Sequence, residues 1–184
     1  MSPLLRFDNV TLRRGGRLLF EAMDLVIAES DAVRIMGSNG TGKSSLLRLA
    51  AGLLRAERGT VERSDLAFAD DHLALDRELP LGRALGFWSG NTSFAMDALG
   101  LAHLADVPVR WLSSGQSKRA TLARAIASGA PLWLLDEPLN ALDADGAQRL
   151  SGLIDHHRSN GGAVLAASHQ PLAGDWRQLE LGGW

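Results

Sequence analysis

The sequence predicts an α/β fold built on a parallel sheet, and two observations predict it. A short apolar run at 32–36 ends in the glycine-rich stretch GSNGTGKS (37–44), after which Leu46, Leu47, Leu49, Ala50, Leu53 and Leu54 recur at helical spacing. Strand, tight loop, helix is the order that such a pattern encodes. Further on, the apolar runs LWLL (132–135) and AVLAA (163–167) flank a helix-periodic stretch at about 144–158. Short, wholly apolar runs that alternate with helices mark parallel strands covered on both faces.

The remaining elements follow in order. Residues 4–12 alternate in strand fashion, and Met23, Leu25 and Ile27 share one face of a second strand. Thr60, Val61 and residues 66–68 read as short strands. The stretch 81–112 reads as mostly helical, broken by Gly90, Gly100 and Pro108, with Phe87, Trp88, Phe94 and Trp111 expected to pack inside it. A helix over 115–127 carries Ala120, Leu122, Ala123 and Ile126 on its apolar side. No repeat, low-complexity tract or linker interrupts the chain. It reads as one domain over 1–184: a core of 1–71 and 119–184, with a helical subdomain inserted at 72–118.

Composition sets bounds on function. With 184 residues and 46% hydrophobic content, the chain suits one well-buried domain. Its 19 basic and 21 acidic residues leave a formal charge of −2, so no basic field invites nucleic acid. Arg13, Arg14 and Arg17 cluster, but a solvated patch accounts for them. Without cysteine, structural disulfides and cysteine metal sites are excluded. The start, MSPLLRFDNV, shows no basic region followed by an apolar run, so no secretory signal is expected. No apolar stretch reaches the about 20 residues that a bilayer span requires. If the protein works at a membrane, other chains must cross it.

Three motifs carry chemistry. In the first, Gly37, Gly40 and Gly42 let backbone amides turn toward a common centre, helped by the helix that starts near Lys43. Ser38, Asn39 and Thr41 complete that phosphate loop, Ser45 follows it, Lys43 can reach β- and γ-phosphates, and Ser44 can ligate Mg²⁺. In the second, Asp136 and Glu137 end a buried strand, at the edge where α/β sheets bind ligands. One carboxylate can orient metal-bound water and the next can deprotonate an attacking water, so Asp136 is the metal-side candidate and Glu137 the general-base candidate. In the third, LSSGQ (112–116) opens a helix. Ser113 or Ser114 can simply cap it, or a serine hydroxyl, the Gly115 amide and the helix dipole can form an anion site. His169 follows the strand at 163–167, where a histidine can donate to a γ-phosphate.

These motifs, in this order, resemble the nucleotide-binding subunits of ABC transporters, and the resemblance spans nearly the whole chain. GSNGTGKS looks like the family's Walker A loop, LWLLDE its Walker B strand, LSSGQ its signature, LNALD (139–143) its D-loop and Ser168–His169 its switch histidine. The resemblance implies a P-loop NTPase (RecA-like) core with an N-terminal antiparallel β subdomain, ATP and Mg²⁺ as ligands, and two such domains dimerised head to tail. Ser113, Ser114, Gly115 and Gln116 would then contact ATP held by the other copy, and Asp143 would lie between the sites. Lys43, Glu137 and His169 would be the catalytic set. A narrower likeness lies in DVPV (106–109) before the signature, APLW (130–133) at the Walker B strand and HQPL (169–172) after the switch histidine. These are similar to the ATP-binding subunits of the cytochrome c maturation, or heme exporter, transporters. That implies integral membrane partners, a peripheral place on the cytoplasmic face of the inner membrane, and heme handled elsewhere than on this chain.

The chain departs from the family pattern at three positions. Arg14 stands about where an aromatic residue usually stacks on adenine, and the chain has no tyrosine. His72 stands about where a glutamine usually meets the metal, making it a further metal-side candidate. Ser114 replaces a common glycine. Rival readings explain less. A P-loop GTPase or kinase would lack LSSGQ. A DNA-repair ATPase head would need long coiled-coil heptads between Gly37 and LSSGQ. A clamp that binds ATP with little hydrolysis stays open because of Arg14 and His72, as does the ATPase of another exporter.

Overall fold

A computed structural model describes residues 3–88 and 91–182. Along the chain run β1 (Leu5–Arg14), β2 (Arg17–Ile27), β3 (Ala32–Met36), α1 (Lys43–Ala50), β4 (Arg58–Arg63) and β5 (Leu66–Ala69). Then come α2 (Leu81–Gly86), α3 (Thr92–Ala98), α4 (Ser114–Ala127), β6 (Leu132–Asp136), α5 (Ala144–Ser159), β7 (Ala163–Ala167) and β8 (Arg177–Glu180).

Five strands form a parallel sheet in the order β5-β6-β7-β3-β8. Every residue of β6 and β7 is buried, which is why both read as unbroken apolar runs. Their side chains alternate between two cores. Leu132, Leu134 and Leu165 pack with Leu46 and Leu47 of α1 and with the N-terminal strands, while Trp133, Leu135, Val164 and Ala166 pack on α4, α5 and the helical segment. Truncating a fully buried leucine such as Leu134 to alanine costs about 2–5 kcal/mol.

The antiparallel sheet β2-β1-β4 covers one side. A bulge bends β1 where Asn9 takes a positive φ of 50° and donates its amide to Asp24 Oδ1 at 2.8 Å. Gly59 lies across from it, and a Cβ there would sit 2.4 Å from the carbonyl oxygens of Asp8 and Asn9. Only glycine fits that crossing.

The structure corrects two expectations. First, among its described residues the 81–112 stretch is helical only in the short α2 and α3 and in 3-10 turns at Ala102–Leu104 and Val109–Trp111. Gly100 (φ 68°) ends α3, and Pro108 opens the second turn. Gly90 lies outside the described residues. Second, the aromatics of this stretch are not packed inside: Phe87 is 82% exposed, Trp111 68%, and Trp88 and Phe94 46% each. Such short helices offer one inner face apiece, and Leu81, Leu85, Ala95 and Met96 already fill it. Strand β8 was not anticipated. It is a short edge strand of sequence RQLE that burial barely marks.

Candidate nucleotide site

Three neighbouring strands end at the site. Glu137, just past β6, donates its amide to Ala167 O at 2.8 Å, and Ser168, just past β7, donates its amide to Ile35 O of β3 at 3.4 Å. Parallel pairing thus brings the ends of β3, β6 and β7 side by side although they lie far apart in sequence. This is the carboxyl edge at which such sheets bind ligands.

The loop between β3 and α1 is held open by its glycines. At Gly37 (φ 140°) a Cβ would lie 2.4 Å from Leu181 O, because the residue after β8 runs directly beneath the loop and its amide bonds to Met36 O at 2.8 Å. Gly42 (φ 106°) precedes α1, whose N-terminus has no side-chain cap. Its first amides are therefore left for a ligand. Lys43 is buried, and its Nζ donates to Gly37 O at 2.8 Å and to Ser38 O at 3.1 Å. Those carbonyls keep the ammonium beside the loop. The Thr41 hydroxyl donates to Ser38 O at 2.9 Å and fixes the loop tip.

These elements enclose a cavity of 460 Å³ lined by Arg14, Leu19, Asn39, Gly40, Gly42, Lys43, Ser44, Ser45 and Glu137. Glu137 takes a left-handed φ of 45°, a strained conformation for a residue with a Cβ. His169 holds its carboxylate: Nδ1 lies 2.8 Å from Oε2, and the His169 amide donates to the same oxygen at 3.3 Å. An ionised carboxylate only accepts, so Nδ1 carries the hydrogen. Oε1 stays available to water. Asp136 is buried behind, near the Ser44 hydroxyl. Desolvation pushes its carboxyl above the usual range and outweighs the opposing pull of that hydroxyl, with the negative charges of Asp71 and Glu137 adding to the rise. A desolvated carboxylate paired with a serine hydroxyl suits a hard divalent cation that takes its other oxygens from phosphate and water. The described residues hold no three-ligand acidic or histidine cluster, so such a cation would need those outside oxygens.

The other sequence candidates fall elsewhere. Among the described residues no signature residue lines this cavity. Ser113, Gly115 and Gln116 line a separate 350 Å³ hollow together with His103, Arg119, Ala141 and Asp143. There Gln116 N donates to Ser113 Oγ at 3.2 Å and Ser113 N donates to Gln116 Oε1 at 2.9 Å, a complete capping box on α4. Ser114 faces a third, smaller recess with Ser117 and Lys118. Asp143 caps α5 by accepting from Gly146 N at 2.9 Å, and it pairs with Arg119 at 2.6 Å. The Gly146 amide, then Arg119, hold its carboxyl below the usual range. The side chain of His72 is 81% exposed and turns to Asp70, 3.2 Å away, so the structure does not bring it to the cavity.

Sequence reasoning missed three participants. Leu19 walls the cavity from β2. Leu181 supports Gly37 through its backbone, which no side-chain pattern reveals. Lys118 is 7% exposed, and its Nζ bridges Asp136 O at 3.1 Å and Asp71 Oδ1 at 3.0 Å, tying α4 to the end of β6. A lysine on a helix face it shares with Thr121, Leu122 and Ala125 was the one available signal.

A loop of free amides beside a buried lysine, facing an oriented carboxylate, is what a P-loop ATPase requires. The LSSGQ sequence at the start of α4 is the addition by which the chain resembles the ABC class. Comparison with known proteins agrees. The family model described as ABC transporter matches residues 20–140. A cytochrome c biogenesis ATP-binding export protein, CcmA, of Sphingopyxis alaskensis is 52% identical over 181 residues, 94% of this chain and 93% of that protein. Its namesake in Novosphingobium aromaticivorans is 53% identical over 168 residues, 90% of this chain and 88% of that one. A solved metal-chelate-type ABC transporter in an inward-facing conformation matches with a TM-score of 0.81 at 29% identity, over 98% of this chain and 80% of that one. An ATP-binding subunit of an ABC transporter reaches a TM-score of 0.83 at 20% identity, over 90% of this chain and 79% of the other, a likeness of fold alone. The chain belongs to the ABC transporter family, in its branch of cytochrome c biogenesis ATP-binding export proteins. No helix among the described residues is long and apolar enough to cross a membrane.

Proposed function

We propose that this chain is the ATP-hydrolysing subunit of a transporter that exports or handles heme for c-type cytochrome biogenesis. It works as a head-to-tail dimer on integral membrane subunits, from the cytoplasmic face of the inner membrane. Each chain contributes one nucleotide-binding domain, with the 72–118 segment as its helical insert. The observation that carries the hydrolytic reading is Glu137: strained backbone, carboxylate 2.8 Å from His169 Nδ1, at the wall of the phosphate-loop cavity. The names of the relatives support the transport role.

The loop amides and Lys43 take the β- and γ-phosphates of ATP, and Lys43 exchanges its bonds to Gly37 O and Ser38 O for phosphate oxygens. Ser44 and Asp136 would hold Mg²⁺, which when bound supplies charge neutralisation to the phosphates. Glu137 accepts a proton from the attacking water at Oε1 while His169 keeps Oε2 fixed. Arg14 contacts the base. The Ser113–Gly115 helix start completes the partner copy's site and stabilises charge on the transferring phosphoryl group.

The test is affinity purification of the full chain from native membranes, with and without ATP, followed by identification of co-purifying proteins and heme. Membrane subunits of a heme-delivery system, retained in an ATP-dependent way, are the expected result. Recovery of membrane partners with an unrelated cargo would overturn the heme assignment and leave the ATPase reading in place.

A further inference from the structure

On the reading of Glu137 as the general base, we infer that Lys118 is a positioning residue for hydrolysis. Its ammonium, reaching out from the second turn of α4, holds the peptide unit between Asp136 and Glu137 in the orientation that presents the Glu137 carboxylate to water.

That peptide unit is held at both of its polar atoms. On the β7 side, Glu137 N donates to Ala167 O at 2.8 Å. On the other side β5 ends at Ala69, opposite Leu135, so sheet pairing stops one residue short of Asp136. Lys118 Nζ supplies a donor there, 3.1 Å from Asp136 O. A peptide unit is planar, so holding its oxygen and its nitrogen fixes the plane. The plane sets the direction in which Glu137 leaves the strand, with its φ of 45°. A glutamate in the left-handed region is strained, and a flip of the preceding peptide would relieve it by carrying φ back to negative values. Such a flip would turn Asp136 O away from Lys118 and the Glu137 amide away from Ala167. Two hydrogen bonds therefore maintain the strain, and only one of them belongs to the sheet.

Stability gives a poor account of this lysine. Its side chain is buried, while its carboxylate partner Asp71, 3.0 Å away, is 70% exposed. A pair with one end in solvent contributes little, and an ammonium taken out of water costs more than an apolar side chain of similar length. What an apolar side chain cannot do is donate to Asp136 O. An ammonium has three donors, and here one serves the backbone between the metal-side carboxylate and the base. Displacing a reacting group by about 1 Å can cost a hundredfold in rate, so the orientation of this one peptide matters to turnover.

The test measures steady-state ATP hydrolysis by the complex recovered from native membranes through the full chain, with kcat counted per bound nucleotide so that unfolded chain does not enter. Lys118→Met keeps the stem and removes the donors. It should lower kcat by about ten- to hundredfold and leave KM for ATP within about threefold of the parent. Lys118→Arg restores a donor and should recover kcat to within about fivefold, and Asp71→Asn should stay within about threefold. In a Glu137→Gln background Lys118→Met should lower the residual turnover by less than about twofold, because both changes act on one group. A lysine with a merely structural role would lower Tm without this split between kcat and KM. Parent-like kcat in Lys118→Met, no recovery in Lys118→Arg, or a further tenfold loss on top of Glu137→Gln would each overturn the inference. So would a loss in Asp71→Asn as large as that in Lys118→Met, which would place the lysine's action at Asp71. If Lys118→Met does not fold, Lys118→Gln, with a shorter side chain and a neutral donor, is read in the same way. Unchanged turnover in Glu137→Gln alone would remove the base and both readings with it. A lost base beside a parent-like Lys118→Met would remove the positioning role alone.

Discussion

Two helices begin at the business end of this molecule, and they begin differently. Helix α1 starts from Gly42 with no side-chain cap, leaving its first amides unpaired in the open cavity. Helix α4 starts from Ser113 inside a closed capping box with Gln116. The contrast shows which end waits for a ligand and which is finished without one. An uncapped N-terminus has unsatisfied donors that a phosphate can take over. A capped one has spent them locally. Ser113 Oγ accepts from Gln116 N, however, and so keeps its own O–H free to donate outward. The α4 start can therefore touch a phosphate without dismantling its cap, provided that another molecule brings the phosphate there.

The largest predicted effect tests the α1 side. Glu137→Gln should keep nucleotide binding and reduce steady-state ATP turnover by about a hundredfold or more, the scale of a lost general base. The variant should also accumulate as an ATP-dependent dimer in size-exclusion chromatography. Unchanged turnover would remove Glu137 as the base and, with it, the claim that the cis half carries the chemistry. Next in size is Gln116→Glu on the α4 side. Glutamate preserves the capping box, so the fold should hold, but it places a negative charge where the partner's phosphate must come. We expect turnover to fall by about tenfold while nucleotide affinity of the monomer stays within about twofold, since each charge placed in such a site is worth roughly 1–2 kcal/mol. A matching loss of monomer affinity would mean that the two helix starts serve one site, and the comparison would collapse.

How much of this was legible in the sequence depends on whether a residue's partner is local. The phosphate loop, the β6 strand and the start of α4 each declare themselves within a few residues, because strand burial, glycine spacing and helix capping are short-range physics. The glycines at 37, 40 and 42 and the run LWLLD are read directly. Strand β8 was not, because an edge strand of sequence RQLE buries only Leu179 in part. Lys118 was not, because its partners are the backbone oxygen of Asp136, 18 residues away, and Asp71, 47 away. Nor was the left-handed backbone of Glu137, which is imposed by where β6 must stop and not by glutamate's own preference. His72 shows the reverse error. Its position along the chain suggests metal contact, while its side chain points to Asp70 and solvent.

The smallest effects compare what each end does to stability, and they should have opposite signs. Ser113→Ala opens the capping box, and a lost cap costs about 1 kcal/mol, roughly 2–4 °C in Tm for a domain of this size. Asp136→Asn should do the opposite. Burial raises the folded-state pKa of Asp136, so the folded chain holds that proton more tightly than the unfolded one. The ionised carboxylate therefore opposes folding above the folded-state pKa, and the penalty fades as pH falls through that value. At pH 7–8 the asparagine variant should melt at or above the parent temperature while losing ATP turnover, and the gain should shrink on acidification. Asp143, by the signature hollow, runs the other way. Gly146 N–H and Arg119 depress its folded-state pKa, so its contribution is present above the ordinary aspartate range and lost as pH falls through the folded value. Thermal melts of the parent, Asp136→Asn and Asp143→Asn between pH 4 and 8 resolve the two trends. Parallel pH dependences, or a clear loss of Tm in Asp136→Asn at neutral pH, would show that the phosphate end is no more strained than the capped one.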